Sequence, residues 1–145
     1  MKKGFTLLEL IVVVIILGVL AILGFTQYAT IIEKSRGAEA KIILGTIRTL
    51  GIGYYLEYGS CVGFAPIAML AHIGNDLGQI PGVCRESHWF SYSVVSPSLG
   101  VIIGTATRCA SGGKPPQGIS AAGATIILTS DLLNNLDTWG GTGGY

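Results

Sequence analysis

Lys2-Lys3-Gly4-Phe5-Thr6-Leu7-Leu8-Glu9 is followed by residues 10–32, which carry no charge at all. A helix over residues 5–25 would measure about 31 Å at ~1.5 Å per residue, close to the ~30 Å hydrocarbon core of a bilayer. The apolar run is too long for an ordinary secretory signal, no clear small-x-small cleavage site ends it, and helix-compatible sequence continues from Glu33. It therefore predicts a single spanning helix, with Lys2 and Lys3 holding its start on the cytoplasmic side. Glu9 stands against this pattern. A carboxylate inside a membrane segment costs roughly 2.5–3.5 kcal/mol on insertion scales, so it marks a functional position whose partner must be found. The plainer alternative is a carboxylate one turn into the helix, favoured by the dipole and reaching for the headgroups.

Gly4-Phe5-Thr6-Leu7-Leu8-Glu9, behind a short basic leader, resembles the prepilin cleavage and methylation motif of type IV pilins, which type II secretion pseudopilins share. The resemblance covers residues 1–58 closely and the remainder by architecture only. It implies that a prepilin peptidase/methyltransferase cuts between Gly4 and Phe5 and methylates the new N-terminus at Phe5. It also implies that Phe5 and Glu9 are assembly residues. Methylation leaves the Phe5 amine cationic, and in staggered subunits it can approach Glu9 of a neighbour. A pair ~4 Å apart at an effective dielectric of ~20 is worth about 4 kcal/mol before desolvation is subtracted. One departure is evident: many family members carry proline before a Gln-Tyr pair, whereas Thr26 precedes Gln27-Tyr28 here. Any unwinding of the helix in a filament would have to use Gly18 and Gly24, each costing about 1 kcal/mol of helix propensity against alanine.

Only 12% of the 145 residues are charged and 50% are hydrophobic, with 22 glycines. A soluble chain carries about 25% charged residues, so much of this surface is expected to meet lipid or protein. The net charge of +1 depends on Lys2 and Lys3, leaving no basic field for nucleic acid. Cys61, Cys84 and Cys109 form no C-x-x-C pair, which disfavours zinc and thioredoxin-type chemistry and favours one disulfide in an oxidising compartment.

Helical periodicity continues through residue 58, with Ile32, Ile43, Ile47, Leu50, Tyr54 and Tyr58 read as the apolar stripe. Glu33, Lys34, Arg36, Glu39, Lys41, Arg48 and Glu57 are read as its wetter faces, either solvated or pairing between subunits. Gly59-Ser60 ends the helix. A connecting region over 61–86 follows, with a short helix expected around 66–73. Residues 89–95 and 101–107 read as a hairpin around Ser96-Pro97-Ser98-Leu99-Gly100, and 124–130 as a third strand. A register placing Ser93 opposite Gly100 would set Cys84 opposite Cys109, within disulfide reach. Cys84–Cys109 is the favoured pairing and Cys61–Cys84 the alternative. The glycine-rich tail to Tyr145 is expected on the sheet edge or on a neighbouring subunit.

Nothing assembles a catalytic triad, a carboxylate pair or a His-rich site, since His72 and His88 stand apart. Gly112-Gly113-Lys114-Pro115-Pro116 fails as a phosphate loop because proline follows the lysine. Asp131 and Asp137 are weak calcium candidates without a loop signature. No enzyme activity, cofactor or metal is expected.

The reading is thus an α+β pilin fold. Residues 1–4 form a leader removed on maturation, 5–28 the transmembrane and assembly half of one long helix, and 29–58 its amphipathic half. Residues 59–145 form a head with a small antiparallel sheet. The expected function is the structural subunit of a type IV pilus, a homo-oligomeric helical filament used in adhesion, motility or related roles. Its precursor would sit in the bacterial inner membrane, the assembled form outside the cell, and its partners would be the peptidase and the pilus assembly machinery. The alternatives are a type II secretion pseudopilin and, from another class, a minor pilin or anchored binding module taking up DNA, resting on Arg85, Arg108 and Lys114.

Overall fold

The computed structural model describes residues 5–64, 80–84, 86–114, 116 and 123–145. The short helix expected at 66–73, with His72, Gly4 and Arg85, lies outside the described residues.

One helix, α1 (Leu7–Tyr58), runs 52 residues without interruption through Gly18 and Gly24, a length of about 78 Å. Thr6 caps its start in extended conformation and Gly59 its end at φ 69°, donating its N–H to the Tyr55 carbonyl at 2.8 Å. Glycine is suited there because the left-handed region carries no Cβ penalty for it. Up to residue 32 no position with a described side chain is fully buried; from Glu33 onward one stripe is, through Arg36, Gly37, Ala40, Leu44, Ile47 and Gly51.

This stripe is rotated from the one expected. Ile47 lies on it, whereas Ile43, Leu50 and Tyr54 flank it and Tyr58 is exposed. Small residues explain the offset. A Cβ on Gly51 would fall 2.0 Å from Ile102 Cδ1, and one on Gly104 of the facing sheet 3.0 Å from Leu44 Cδ2. The helix approaches the sheet along its glycines and alanine, so a search for large apolar side chains finds the margins of the contact.

The sheet is an antiparallel meander, β1 (Phe90–Ser98), β2 (Val101–Arg108), β3 (Thr125–Asp131) and β4 (Leu136–Gly141), in the order β1-β2-β3-β4. Strict alternation in β2 and β3 turns Ile102, Ala106, Ile126 and Leu128 onto Ala40, Leu44 and Ile47, with Phe90 and Tyr92 of β1 completing the core. The three expected strands are present. The hairpin register differs from the expected one: Ser93 pairs with Thr105, not Gly100, and Phe90 with Arg108. β1 extends through Pro97, and the turn contracts to Leu99-Gly100. Proline is tolerated because β1 is an edge strand and the ladder bulges between Val95 and Ser98. β4 lies in the stretch expected only as a glycine-rich tail. Every residue of it is exposed, so it carries no alternation between buried and exposed positions.

Cys84 and Cys109 form the disulfide, 25 residues apart with Cα atoms 5.8 Å apart. They do not meet as opposed strand residues. Cys109 continues the β1–β2 ladder, its N–H bonding to the Trp89 carbonyl at 2.9 Å, while Cys84 precedes β1. Gly112 and Gly113 wrap this bridge: a Cβ on Gly113 would lie 2.7 Å from Cys109 Cβ and 2.9 Å from the His88 carbonyl. The two glycines of the stretch that superficially matches a phosphate loop are thus the close-packed collar of a disulfide. Cys61 is a buried free thiol whose N–H bonds to the Leu99 carbonyl at 2.7 Å, tying the helix exit to the hairpin turn. Burial pushes its thiol up, away from the reactive thiolate.

Candidate functional site

The helix start is built by Thr6 and Glu9. The Glu9 N–H donates to Thr6 Oγ1 at 3.3 Å, and Thr6 N–H donates back to Glu9 Oε2 at 2.8 Å, a reciprocal capping box. The Thr6 hydroxyl also donates to Oε2 at 2.8 Å. Two otherwise orphaned backbone donors are satisfied this way. The box occupies one carboxylate oxygen; Oε1 has no partner among the described residues. Phe5, beside it, is 74% exposed, so Phe5 and Glu9 stand together at an open helix end.

Above this end the helix is apolar all round. Leu10, Ile11, Ile15, Ile16 and Leu20, which point right round the helix, are all at least half exposed in the single chain. A helix hydrophobic on every face belongs inside lipid or among other helices. By length and composition this one can cross a membrane. Full burial of each such side chain is worth about 1.5–3 kcal/mol.

The second half of α1 holds a site that sequence reasoning missed. Glu33 is buried and is gripped by Arg108 at the end of β2, whose Nε contacts Oε1 and whose second nitrogen lies 3.4 Å from Oε2. Arg36, one turn along, reaches Oε2 at 2.7 Å, and the Tyr145 hydroxyl donates to Oε1 at 3.1 Å. Arg108 also donates to the Trp89 and Lys114 carbonyls, both at 2.7 Å. The Arg36 guanidinium stacks 3.5 Å from the Trp89 ring centroid, with Lys114 at 4.6 Å. Glu33 and Arg36 are therefore neither solvated nor available to a neighbour. Arg108 is no DNA contact; it is the most deeply buried charge among the described residues. The one available signal was weak: Arg108 falls on the inward parity of β2, where an arginine demands a buried acid.

The weak calcium candidates are likewise occupied. Asp131 Oδ1 accepts the Leu133 and Asn134 N–H groups at 3.0 and 3.1 Å, closing the turn into β4, and the Asn134 side-chain hydrogen bond holds its carboxyl below the usual range. Asp137 pairs with Arg48 of α1 at 2.8 Å. Among the described residues no three His, Cys, Asp or Glu side chains group together.

The prokaryotic N-terminal methylation motif matches residues 1–25. Over 80 residues the chain is 34% identical to the type IV major fimbrial protein FimA of Dichelobacter nodosus, covering 54% of this chain and 49% of that one. Over 71 residues it is 33% identical to the type IV major pilin protein PilA of Myxococcus xanthus (strain DK1622), covering 45% of this chain and 32% of that one. The chain thus spans about half the length, or less, of the curated relatives it matches. No solved structure matches. A long helix, bare in its first half and packed on an antiparallel meander in its second, defines an α+β protein with an apolar N-terminal helix segment. The motif lies in the first half of that helix, and both relatives are named as type IV pilus subunits.

Proposed function

We propose that this chain is the structural subunit of a type IV pilus. It is inserted in the inner membrane as a precursor, cut between Gly4 and Phe5, methylated at Phe5, and polymerised through α1 into a surface filament. The observation that carries this reading is the joint exposure of Phe5, Glu9 Oε1 and the whole apolar half of α1. In the membrane, lipid covers that half. In a filament the same faces of other copies cover it, and the cationic N-terminus created by cleavage meets the open side of Glu9. The capping box assigns Glu9 a second task, since it starts the helix as well as offering a charge. Peptidase and assembly machinery are the partners this route requires, and surface adhesion or motility the roles it would serve. The names of the relatives favour a pilus over a secretion pseudopilus.

The test is to shear filaments from the surface of the producing cell and measure the intact mass of their subunit. The expected mass lacks residues 1–4 and gains one methyl group. Filaments free of this chain, or a subunit that retains Gly4, would overturn the proposal.

A further inference from the structure

On one side of the head the helix and the sheet edge part to leave a cleft of about 290 Å³. Its geometry follows from register. Trp139 pairs with Leu128, so its indole lies on the same face of the sheet as that core residue. β4, however, lies at the sheet edge beyond the core, and the ring stays 51% exposed. Facing it on α1 is Lys41, one turn after Gly37 and two turns before Arg48. At one end of the cleft the Tyr145 ring rests on Gly37, where a Cβ would fall 2.4 Å from Tyr145 Cδ1. Its floor is Thr125 and the backbone of residues 140–142, where Gly141 passes so close to β3 that a Cβ would meet the Thr125 carbonyl at 2.1 Å. Thr142 and Thr125 bring hydroxyls 3.4 Å apart. Lys41 makes no ion pair among the described residues, and it is the only charged side chain lining the cleft.

We propose that this cleft binds an acidic sugar unit of a polysaccharide. The Trp139 indole would lie along the C–H face of the ring, the Lys41 ammonium on its carboxylate, and the threonine hydroxyls and glycine backbone on its hydroxyls. Each element answers one part of such a ligand. A half-exposed indole gives a large, rigid contact surface at low entropic cost. One unpaired cation matches one carboxylate. The mixed polar and apolar lining suits a ring with one C–H-rich face and a hydroxyl periphery, and the volume suits about one pyranose rather than a drug-sized ligand. A nucleic-acid strand fits less well. It brings one charge per nucleotide and calls for a basic groove with several stacking platforms, whereas this cleft has one half-exposed indole, a Tyr145 ring already packed on Gly37, and Lys41 as its one cation among the described residues. The site is complete within one subunit and does not depend on filament assembly.

The experiment uses the full chain in a detergent without a sugar headgroup and ligand-observed NMR titration. The acidic probe is a tetrasaccharide alternating glucuronate with N-acetylglucosamine. The neutral probe is the N-acetylglucosamine tetramer, and the strand probe is a short oligothymidylate. The acidic probe is expected to bind with Kd on the order of 1 mM and more tightly than the neutral one. Lys41→Gln should weaken the acidic probe about threefold, the scale of an exposed ion pair, and leave the neutral probe unchanged. Trp139→Ala should abolish binding of both, Trp139→Phe should retain it, and unfolding midpoints show that each variant is folded. The proposal is overturned by no saturable binding up to about 10 mM, by an acidic preference that survives Lys41→Gln, or by tighter binding of the oligothymidylate.

Discussion

Glu9 and Glu33 sit on one continuous helix about 36 Å apart, and they live in opposite surroundings. Glu9 is exposed and, among the described residues, bonded only within its own capping box, with one oxygen open. Glu33 is buried, with Arg108, Arg36 and Tyr145 filling both of its oxygens. The same side chain serves two purposes. Where the chain itself supplies the counter-charge, the carboxylate locks helix to sheet. Where none of the described residues supplies one, a carboxylate oxygen remains open. Their flanks differ in the same sense: the half of α1 next to Glu9 leaves its apolar surface uncovered, while the half beyond Glu33 has the head packed on it.

The contrast can be broken most forcefully at Glu33. Arg108→Ala would leave that carboxylate without its principal partner in a buried site, and unfolding free energy in denaturant should fall by about 3–5 kcal/mol. Arg108→Lys keeps the charge and loses the planar fork, so its midpoint should fall between those of wild type and the alanine variant. An unchanged midpoint for Arg108→Ala would show that the pair is not a lock. Next in size is the disulfide beside it: reducing Cys84–Cys109 should cost about 2–4 kcal/mol, read as a lower denaturant midpoint in reductant. Cys61 should remain unreactive toward a thiol reagent until the head unfolds.

Glu9→Gln sharpens the comparison from the other end. Glutamine also completes a capping box, so head stability should move by less than about 0.5 kcal/mol. If Glu9 holds a neighbour's cationic N-terminus, filaments seen by electron microscopy should nevertheless become scarce. Abundant filaments of normal length would remove the charge from the assembly account. Smallest is the Arg48–Asp137 pair that holds β4 to α1. Burial raises the Asp137 carboxyl, but the hydrogen bond and charge of Arg48 are among the contacts that leave it net below its ordinary value. A lowered carboxylate value stabilises the fold above the unfolded-state value of about 4 and ceases to do so as pH falls through the folded value. Amide exchange in β4 should therefore rise below about pH 4, and Asp137→Asn should flatten that rise with at most about 1 kcal/mol of effect at neutral pH.

Much of the architecture was legible before any coordinates. An uncharged run of membrane length behind Gly4-Phe5 is a local property, as is a helix closed by Gly59 in the left-handed region. The alternating strands β2 and β3 were legible because both have one buried face. The disulfide pair was also expected, but from a hairpin register that differs from the true one; Cys84 reaches Cys109 from a loop instead of across a ladder. β4 escaped notice because an exposed edge strand needs no hydrophobic pattern, its place being set by pairing with β3. Glu33 and Arg36 were misread because their burial depends on Arg108, which lies 75 residues from Glu33.

By itself, then, the sequence determined the apolar first half of the helix, the position of Glu9 at its start and the helix-plus-sheet class, since each rests on spacing along a few turns or strands. Only the tertiary structure decided which charges are spent inside the head, which face of α1 the sheet covers and where the cleft at Trp139 opens. Those depend on distant segments meeting, and no periodicity within one segment records what will be laid against it.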